Sequence, residues 1–365
     1  MAKKILVTGG TGYIGSHTVV ELQQAGYEVI IIDNLSNSNE NVINGIVNIT
    51  GIRPIFEKMD CTDRQALQSL FEKYPSIDGI IHFAASKAVG ESVEKPLMYY
   101  RNNLDSLINL LELMPKHNVC GIVFSSSCTV YGEPDSNPID ENAPIKPATS
   151  PYGNTKQICE EIIQDFVHSG APIKSVILRY FNPIGAHPSA EIGELPLGVP
   201  QNLVPFITQA GIGIREQLSV FGNDYDTPDG SCIRDFINVV DLAKAHVIAI
   251  ERMLSCHSDK SQNPQNSIGV AGDPESGSGR NDVEIFNLGT GTGLSVLELI
   301  RVFEKISGKP LNYKIVGRRE GDIEKIWAQP DKANNVLGWR TMESIEDTMV
   351  SAWKWQQKLR ERGVM

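Results

Sequence analysis

No apolar stretch in this chain is long enough to cross a bilayer. Lys3 and Lys4 lead directly into Ile5-Leu6-Val7, and Thr8-Gly9-Gly10 ends that run far short of a span or a secretory signal. Paired cysteines are also lacking. Cys61, Cys120, Cys128, Cys159, Cys232 and Cys256 form no C-x-x-C, which argues against a zinc site and a dense disulfide framework. A reducing cytoplasm is the simplest expectation, with no metal. Basic charge is scarce: 33 Lys and Arg stand against 44 Asp and Glu, a formal net charge of -11. Nucleic acid and anionic membrane are thereby disfavoured as partners, although a small phosphorylated ligand needs only local positive charge. No G-x-S-x-G surrounds Ser125-Ser126-Ser127, so a hydrolase triad is not expected.

What is present is an alternation of short apolar runs with helical patterns. Lys4–Thr8, Glu28–Asp33, Arg53–Lys58, Ile77–Phe83, Gly121–Ser126 and Lys174–Tyr180 read as strands, several nearly continuous in apolar residues, as strands covered on both faces should be. Tyr13–Gln24, Arg64–Lys73, Leu104–Lys116 and Asn154–His168 read as helices. The expected fold class is α/β, a Rossmann-type doubly wound parallel sheet. Beyond Tyr180 prolines and glycines multiply in 182–205 and 222–230. The expected division is a dinucleotide-binding region at 1–181, with returning segments at about 235–254 and 284–290. A smaller interleaved substrate region takes 182–234 and 291–365. The polar stretch 255–283 reads as an exposed loop insertion.

Gly9-Gly10-Thr11-Gly12-Tyr13-Ile14-Gly15 follows the first strand and opens the first helix. Glycines there permit a tight turn and close approach of a pyrophosphate, which the helix N-terminus then holds. Asp33 ends the second strand eighteen residues beyond Gly15, where a carboxylate accepts hydrogen bonds from an adenosine ribose and repels a 2′-phosphate. NAD is therefore the expected cofactor. Asp60-Cys61, after the third strand, and Phe83-Ala84-Ala85, after the fourth, are placed to continue the site.

Tyr152-Gly153-Asn154-Thr155-Lys156 sets a phenol and an ammonium one helical turn apart. A free tyrosine, with a pKa near ~10, is a poor base; a nearby lysine favours its phenolate. Ser127, leaving the end of a strand, is placed to orient a substrate hydroxyl toward Tyr152. Ser125 and Ser126 are expected to cap backbone.

With these residues the chain resembles the extended short-chain dehydrogenase/reductase superfamily and, within it, the family of UDP-glucose 4-epimerases. The likeness runs through 9–16, 33–38, 125–132, 150–156, 179–188, 230–242, 287–291, 316–322 and 337–339. It spans nearly the whole chain and breaks mainly at 255–282. It implies interconversion of UDP-glucose and UDP-galactose through a 4-keto sugar, with hydride lent to tightly held NAD. It adds Asn34, Asn37, Ser38, Lys87, Asn102 and Phe181 as cofactor contacts. For the nucleotide-sugar it implies Lys87, Asn182, Asn202, Leu203, Phe221, Arg234, Arg319, Asp322 and a gate at Ile326. The alternatives it leaves are a 4,6-dehydratase, a decarboxylase or a uronate epimerase of the same superfamily. Dehydratases carry an acidic pair where this chain has Cys128 and Thr129, which disfavours elimination. The resemblance further implies a homodimer made through Leu104–Lys116 and Asn154–His168, both of which carry apolar faces.

Overall fold

The computed structural model describes residues 2–258, 282–319 and 322–364. The chain runs β1 (Lys4–Thr8), α1 (Tyr13–Gln24), β2 (Glu28–Asp33), α2 (Val42–Thr50), β3 (Ile55–Lys58), α3 (Arg64–Lys73) and β4 (Gly79–His82). Next come α4 (Val89–Glu94), α5 (Pro96–Tyr100), a π turn (Arg101–Asp105), α6 (Ser106–Leu113), β5 (Gly121–Ser127), α7 (Pro151–His168) and β6 (Lys174–Tyr180). The later part holds β7 (Asn182–Ile184), α8 (Leu203–Gly211), β8 (Leu218–Phe221), β9 (Ile233–Arg234), β10 (Phe236–Asn238), α9 (Val239–Ser258) and β11 (Val283–Leu288). It closes with β12 (Leu294–Ser295), α10 (Val296–Ser307), β13 (Tyr313–Val316), β14 (Lys325–Ile326) and α11 (Ile345–Glu361).

Seven strands form one parallel sheet in the order β11-β6-β5-β4-β1-β2-β3. The expected α/β doubly wound class is therefore the one observed. Successive residues of a strand face opposite ways, so each strand feeds two cores. Ile5, Val7, Val29, Ile31 and Ile81 pack with Val19 and Val20 of α1 and Leu242 and Ala245 of α9. Leu6, Ile30, Ile32, Ile80 and Phe124 pack on the other face with Leu67 and Phe71 of α3, Leu110 of α6 and Ile163 of α7. Strand order reverses between β1 and β4, and their carboxyl ends open a crevice there. A third core joins Ile207 of α8, Val220 of β8, Leu299 and Phe303 of α10, and Met349 and Trp353 of α11.

The strands expected over Arg53–Lys58, Ile77–Phe83 and Gly121–Ser126 are observed as Ile55–Lys58, Gly79–His82 and Gly121–Ser127, and two expected helices change for local reasons. The helix expected over Leu104–Lys116 is interrupted: the π turn precedes α6, and a 3₁₀ turn (Pro115–His117) follows it. The Asn103 carbonyl accepts Ser106 Oγ at 3.2 Å and Cys159 Sγ at 3.6 Å, and Pro115 has no N–H for the ladder. By contrast α7 begins at Pro151, earlier than Asn154. Ser150 Oγ accepts the Gly153 N–H at 3.2 Å, and proline suits the first helical position. The segment expected as a loop insertion, 255–283, falls largely outside the described residues. No helix among those described is long and apolar enough to cross a membrane.

Candidate active site

The glycine loop sits at the mouth of the crevice. Gly9 takes φ +69°, and a Cβ there would stand 2.9 Å from Ala84 N; one on Gly15 would stand 2.3 Å from Gly9 O. The backbone thus packs as closely as glycine allows. Gly12 is the N-cap of α1 and offers no side chain, so no cap competes for the first-turn amides of Tyr13 and Ile14. Asp33 is buried beside them. Its Oδ2 accepts Thr11 N at 3.3 Å, and its Oδ1 accepts Leu35 N at 2.9 Å and Ser38 Oγ at 3.0 Å. Asn34 Nδ2 donates to Asp60 Oδ2 at 2.8 Å, which ties the ends of β2 and β3, while Asn37 is exposed. Phe83 and Ala84 are fixed to β1, since Phe83 N donates to Thr8 O at 3.1 Å and Ala84 N to Thr8 Oγ1 at 3.2 Å. Ala85 follows at the partly exposed rim. Cys61 is buried with its thiol pushed up, and its carbonyl accepts Asn109 Nδ2 at 3.1 Å. Asn102 Nδ2 donates to Ser86 Oγ at 3.2 Å.

Ser127, Tyr152 and Lys156 converge where β5 ends against α7. Ser127 and Tyr152 are both buried, and the Ser127 hydroxyl acts on the Tyr152 phenol electrostatically, while Ser127 Oγ accepts Thr129 N at 3.3 Å. Lys156 Nζ donates to the Ser125 carbonyl at 2.6 Å and lies 4.8 Å from the centre of the Phe124 ring. Burial lowers the Lys156 ammonium to about 8. The same burial, reinforced by Tyr180 and Cys128, pushes the Tyr152 phenol upward against the opposing influence of the Ser127 hydroxyl. Sequence reasoning has Lys156 drawing the phenol down. In the structure desolvation dominates, and the ammonium is bonded to the strand.

Ser125 and Ser126 do not cap backbone as expected. Ser125 Oγ shares a hydrogen bond with Tyr180 OH, and Ser126 Oγ donates to Glu160 Oε1. Glu160 is forked with Arg179, whose Nη2 donates to Oε2 at 2.6 Å and Nε to Oε1 at 3.0 Å, and both side chains are buried. Arg179 Nη1 reaches Tyr131 OH at 3.0 Å, and that hydroxyl donates to Asn287 Oδ1 at 2.7 Å. Ser125 and Ser126 are thus tied to different side chains, while Ser127 Oγ accepts the Thr129 N–H and caps the turn that follows. Sequence reasoning missed this network; its available signal was Glu160, one helical turn beyond Lys156.

The residues expected to meet a nucleotide-sugar fall into two groups. Arg234 and Arg319 flank one carboxylate: Arg319 Nη2 donates to Asp322 Oδ1 at 2.6 Å, and Arg234 Nη2 lies 3.5 Å from it. Arg319 also sits 5.6 Å from the centre of the Phe221 ring. Phe221 is 40% exposed, so it is not the core residue its type suggests in isolation. A cleft of about 440 Å³ opens next to it, lined by Gly222, Asn223, Asp224, Val316 and Arg318 among others. The second group is around Glu194, which sequence reasoning missed. Asn202 Nδ2 donates to Glu194 Oε1, and Lys87 Nζ is 3.8 Å from the same oxygen. Asn202 precedes Leu203, the first residue of α8, yet gives its side chain to Glu194 rather than to the helix. Asn182 starts β7 and is partly buried, its N–H donating to Asp235 O at 2.9 Å. Ile326, in register with Arg234, is buried in one cluster with Cys128 and Phe181. Among the described residues no group of His, Cys, Asp and Glu is arranged to hold a metal.

A glycine turn with an acidic β2 end, facing a Ser-Tyr-Lys cluster across a parallel-sheet crevice, defines a nicotinamide-dependent enzyme of the extended short-chain dehydrogenase/reductase kind. The chain belongs to the NAD dependent epimerase/dehydratase family, whose model matches residues 5–260. Within that family it is similar to the UDP-glucose 4-epimerase of Bacillus subtilis (strain 168), 48% identical over 96% of each chain. It is 47% identical to the human enzyme of that name, over 98% of this chain and 97% of the other. Among solved structures it is similar to UDP-glucose 4-epimerase from Stenotrophomonas maltophila with bound NAD and formylated UDP-arabinopyranose, at 42% identity and TM-score 0.89, with 99% of each chain covered. The Bifidobacterium longum enzyme with NAD+ and UDP matches at 43% identity and TM-score 0.87, over 98% of each chain.

Proposed function

We infer that this chain interconverts UDP-glucose and UDP-galactose by inverting C4, working as an NAD-dependent isomerase. What supports the reading is Ser127 at the end of β5 acting on Tyr152, with Lys156 one helical turn along α7 and bonded to the Ser125 carbonyl, and Cys128 and Thr129 where elimination needs carboxylic acids. Cys128 is buried and its thiol is pushed up to about 12, so it supplies no acid comparable to a carboxyl.

The glycine loop fits a dinucleotide, because a Cβ at Gly9 or Gly15 would fill the backbone's closest approaches. Gly9, Gly12, Tyr13, Ile14, Gly15, Asp33, Asn34, Asn37, Ser38, Asp60, Cys61, Phe83, Ala84, Ala85, Lys87, Asn102 and Phe181 would hold it. Bound NAD supplies an acceptor and then a donor for the C4 hydride, which makes a 4-keto sugar transient and leaves no net redox change. Tyr152 takes the O4 proton and later returns it, acting first as base and then as acid. Ser127 orients that hydroxyl. Lys156 holds positive charge beside the developing phenolate and meets the nicotinamide ribose. Arg234 and Arg319 give charge-assisted bonds to phosphate, Asp322 to a ribose, and Phe221 stacks on the base. Asn182, Asn202 and Leu203 line the diphosphate. The substrate region is 182–234 with 291–365.

The buried Ile326 stands at the sugar gate, which favours unmodified hexoses and leaves N-acetylated ones to measurement. Purified protein is expected to convert UDP-galactose to UDP-glucose faster than it converts UDP-N-acetylgalactosamine. Turnover of neither sugar overturns the reading.

A homodimer in the cytoplasm completes the proposal. Leu97 is 77% exposed and Val93 is 63% exposed, with Met98 and Ile108 also exposed on the α4–α6 segment. That apolar face lies beside α7 and supports helix pairing between copies.

A further inference from the structure

A buried carboxylate next to a proposed anion site needs an explanation. Glu194 lies in the segment between β7 and α8, its side chain only 14% exposed, while the Lys87 side chain that faces it is 48% exposed. Its backbone is pinned. Trp355 Nε1 donates to Glu194 O at 2.9 Å, and the preceding Gly193 is pressed so tightly on the Trp355 indole that a Cβ would stand 2.5 Å from the ring. Its carboxylate accepts from Asn202 Nδ2 and lies within ion-pair distance of Lys87. Burial works against its charge, whereas Lys87 and Asn202 favour it. The Tyr13 hydroxyl of the glycine loop is a further electrostatic neighbour, and it donates to Gly185 O at 2.7 Å.

Carboxylate and phosphate oxygens ask for the same donors. An ammonium and an amide N–H held by one are withheld from the other. Lys87 has a long flexible stem and Asn202 stands at the first turn of α8, so both side chains are free to re-aim while Glu194 is fixed behind them. A largely enclosed ion pair is weak evidence of stabilisation, so the charge of Glu194 is better accounted for by what it does to a ligand. We propose that Glu194 is an internal anion that competes with a bound nucleoside diphosphate for Lys87 and Asn202, and so limits how tightly the diphosphate is held. This rests on the placement of Asn202 at the diphosphate given under Proposed function and adds Lys87, which the resemblance also assigns to the nucleotide-sugar. It makes Glu194 a positioning residue that acts through its two partners, easing departure of a product that shares every phosphate contact with the substrate.

The test is UDP affinity by titration calorimetry at fixed ionic strength for wild type, E194Q, K87M and the double variant. Glutamine keeps the acceptor for Asn202 and removes only the charge. E194Q is expected to bind UDP about fivefold more tightly, the scale of one partly screened charge contact. In the K87M background the same change is expected to have a smaller effect, because one of the contested donors is gone. E194A serves as the second variant, with the same sign expected. A merely structural role predicts weaker UDP binding and a lower melting temperature, independent of Lys87. Unchanged or weaker binding in the folded variants, or full additivity with K87M, overturns the proposal. Wild-type turnover of UDP-galactose is measured alongside: UDP binding without turnover sinks the epimerase reading, while the affinity cycle still judges Glu194. Failure of wild type to bind UDP overturns both.

Discussion

At the scale of single residues, burial sets the chemistry. Tyr152 is buried and its phenol is pushed up, so positive charge brought into the site, such as the nicotinamide ring of bound NAD, would be needed to favour the phenolate that acts as base. Y152F is expected to lower kcat by roughly 10²–10⁴-fold, the usual range for a lost general base, with bound NAD per chain unchanged. Turnover of UDP-galactose and cofactor content after denaturation check both halves. Lys156 gives a prediction on stability. Its folded-state value is lowered from 10.5 to about 8, so the unfolded chain binds more protons between those values and stability rises with pH across that window. The burial penalty, about 3 kcal/mol, is fully present below pH 8. K156M lacks this rise, and the difference between wild-type and variant urea midpoints at pH 8 and pH 10 measures it. Equal slopes would overturn the assignment.

At the scale of elements, the site is held by two joints. The first is the β1–α1 turn. G15A puts a methyl 2.3 Å from Gly9 O and 2.9 Å from Gly10 Cα, both backbone atoms that cannot swing aside. It is expected to destabilise the fold by about 1–3 kcal/mol and to strip NAD, read from the melting temperature and cofactor content. The second joint ties α7 to β5 and β6 through Ser126, Glu160 and Arg179. E160Q leaves a guanidinium buried without its charge partner, which costs about 3–5 kcal/mol. The paired change E160M/R179M removes both charges and is expected to be the milder of the two in urea unfolding. Motif spacing reached the first joint because glycine is the signature of that turn. It missed the second because a glutamate on a helix and an arginine on a strand carry no local sign that they meet, 19 residues apart, inside the protein.

At the scale of the whole molecule, the proposed function puts the dinucleotide on the parallel sheet and the nucleotide-sugar on short strands and helices drawn from 182–234 and beyond 290. The proposed homodimer would use the exposed apolar face of α4–α6. L97E is expected to shift the protein from dimer to monomer in sedimentation equilibrium at micromolar concentration. A wild type that is already monomeric would remove the dimer from the proposal.

The strand and helix alternation, the glycine turn, Asp33 and the Y-x-x-x-K spacing were legible in the sequence, because each is a local demand: burial on both faces, a tight turn, a strand-end carboxylate, one helical turn. The resemblance then named distant partners that periodicity alone does not reach. Only the tertiary structure decided that Phe221 is exposed beside Arg319, that Asp322 lies between Arg234 and Arg319, and that Glu194 holds Lys87 and Asn202. It also decided that Tyr152 is pushed up rather than drawn down. Those facts depend on desolvation and on contacts between residues far apart in the chain, and neither quantity exists until the chain has folded.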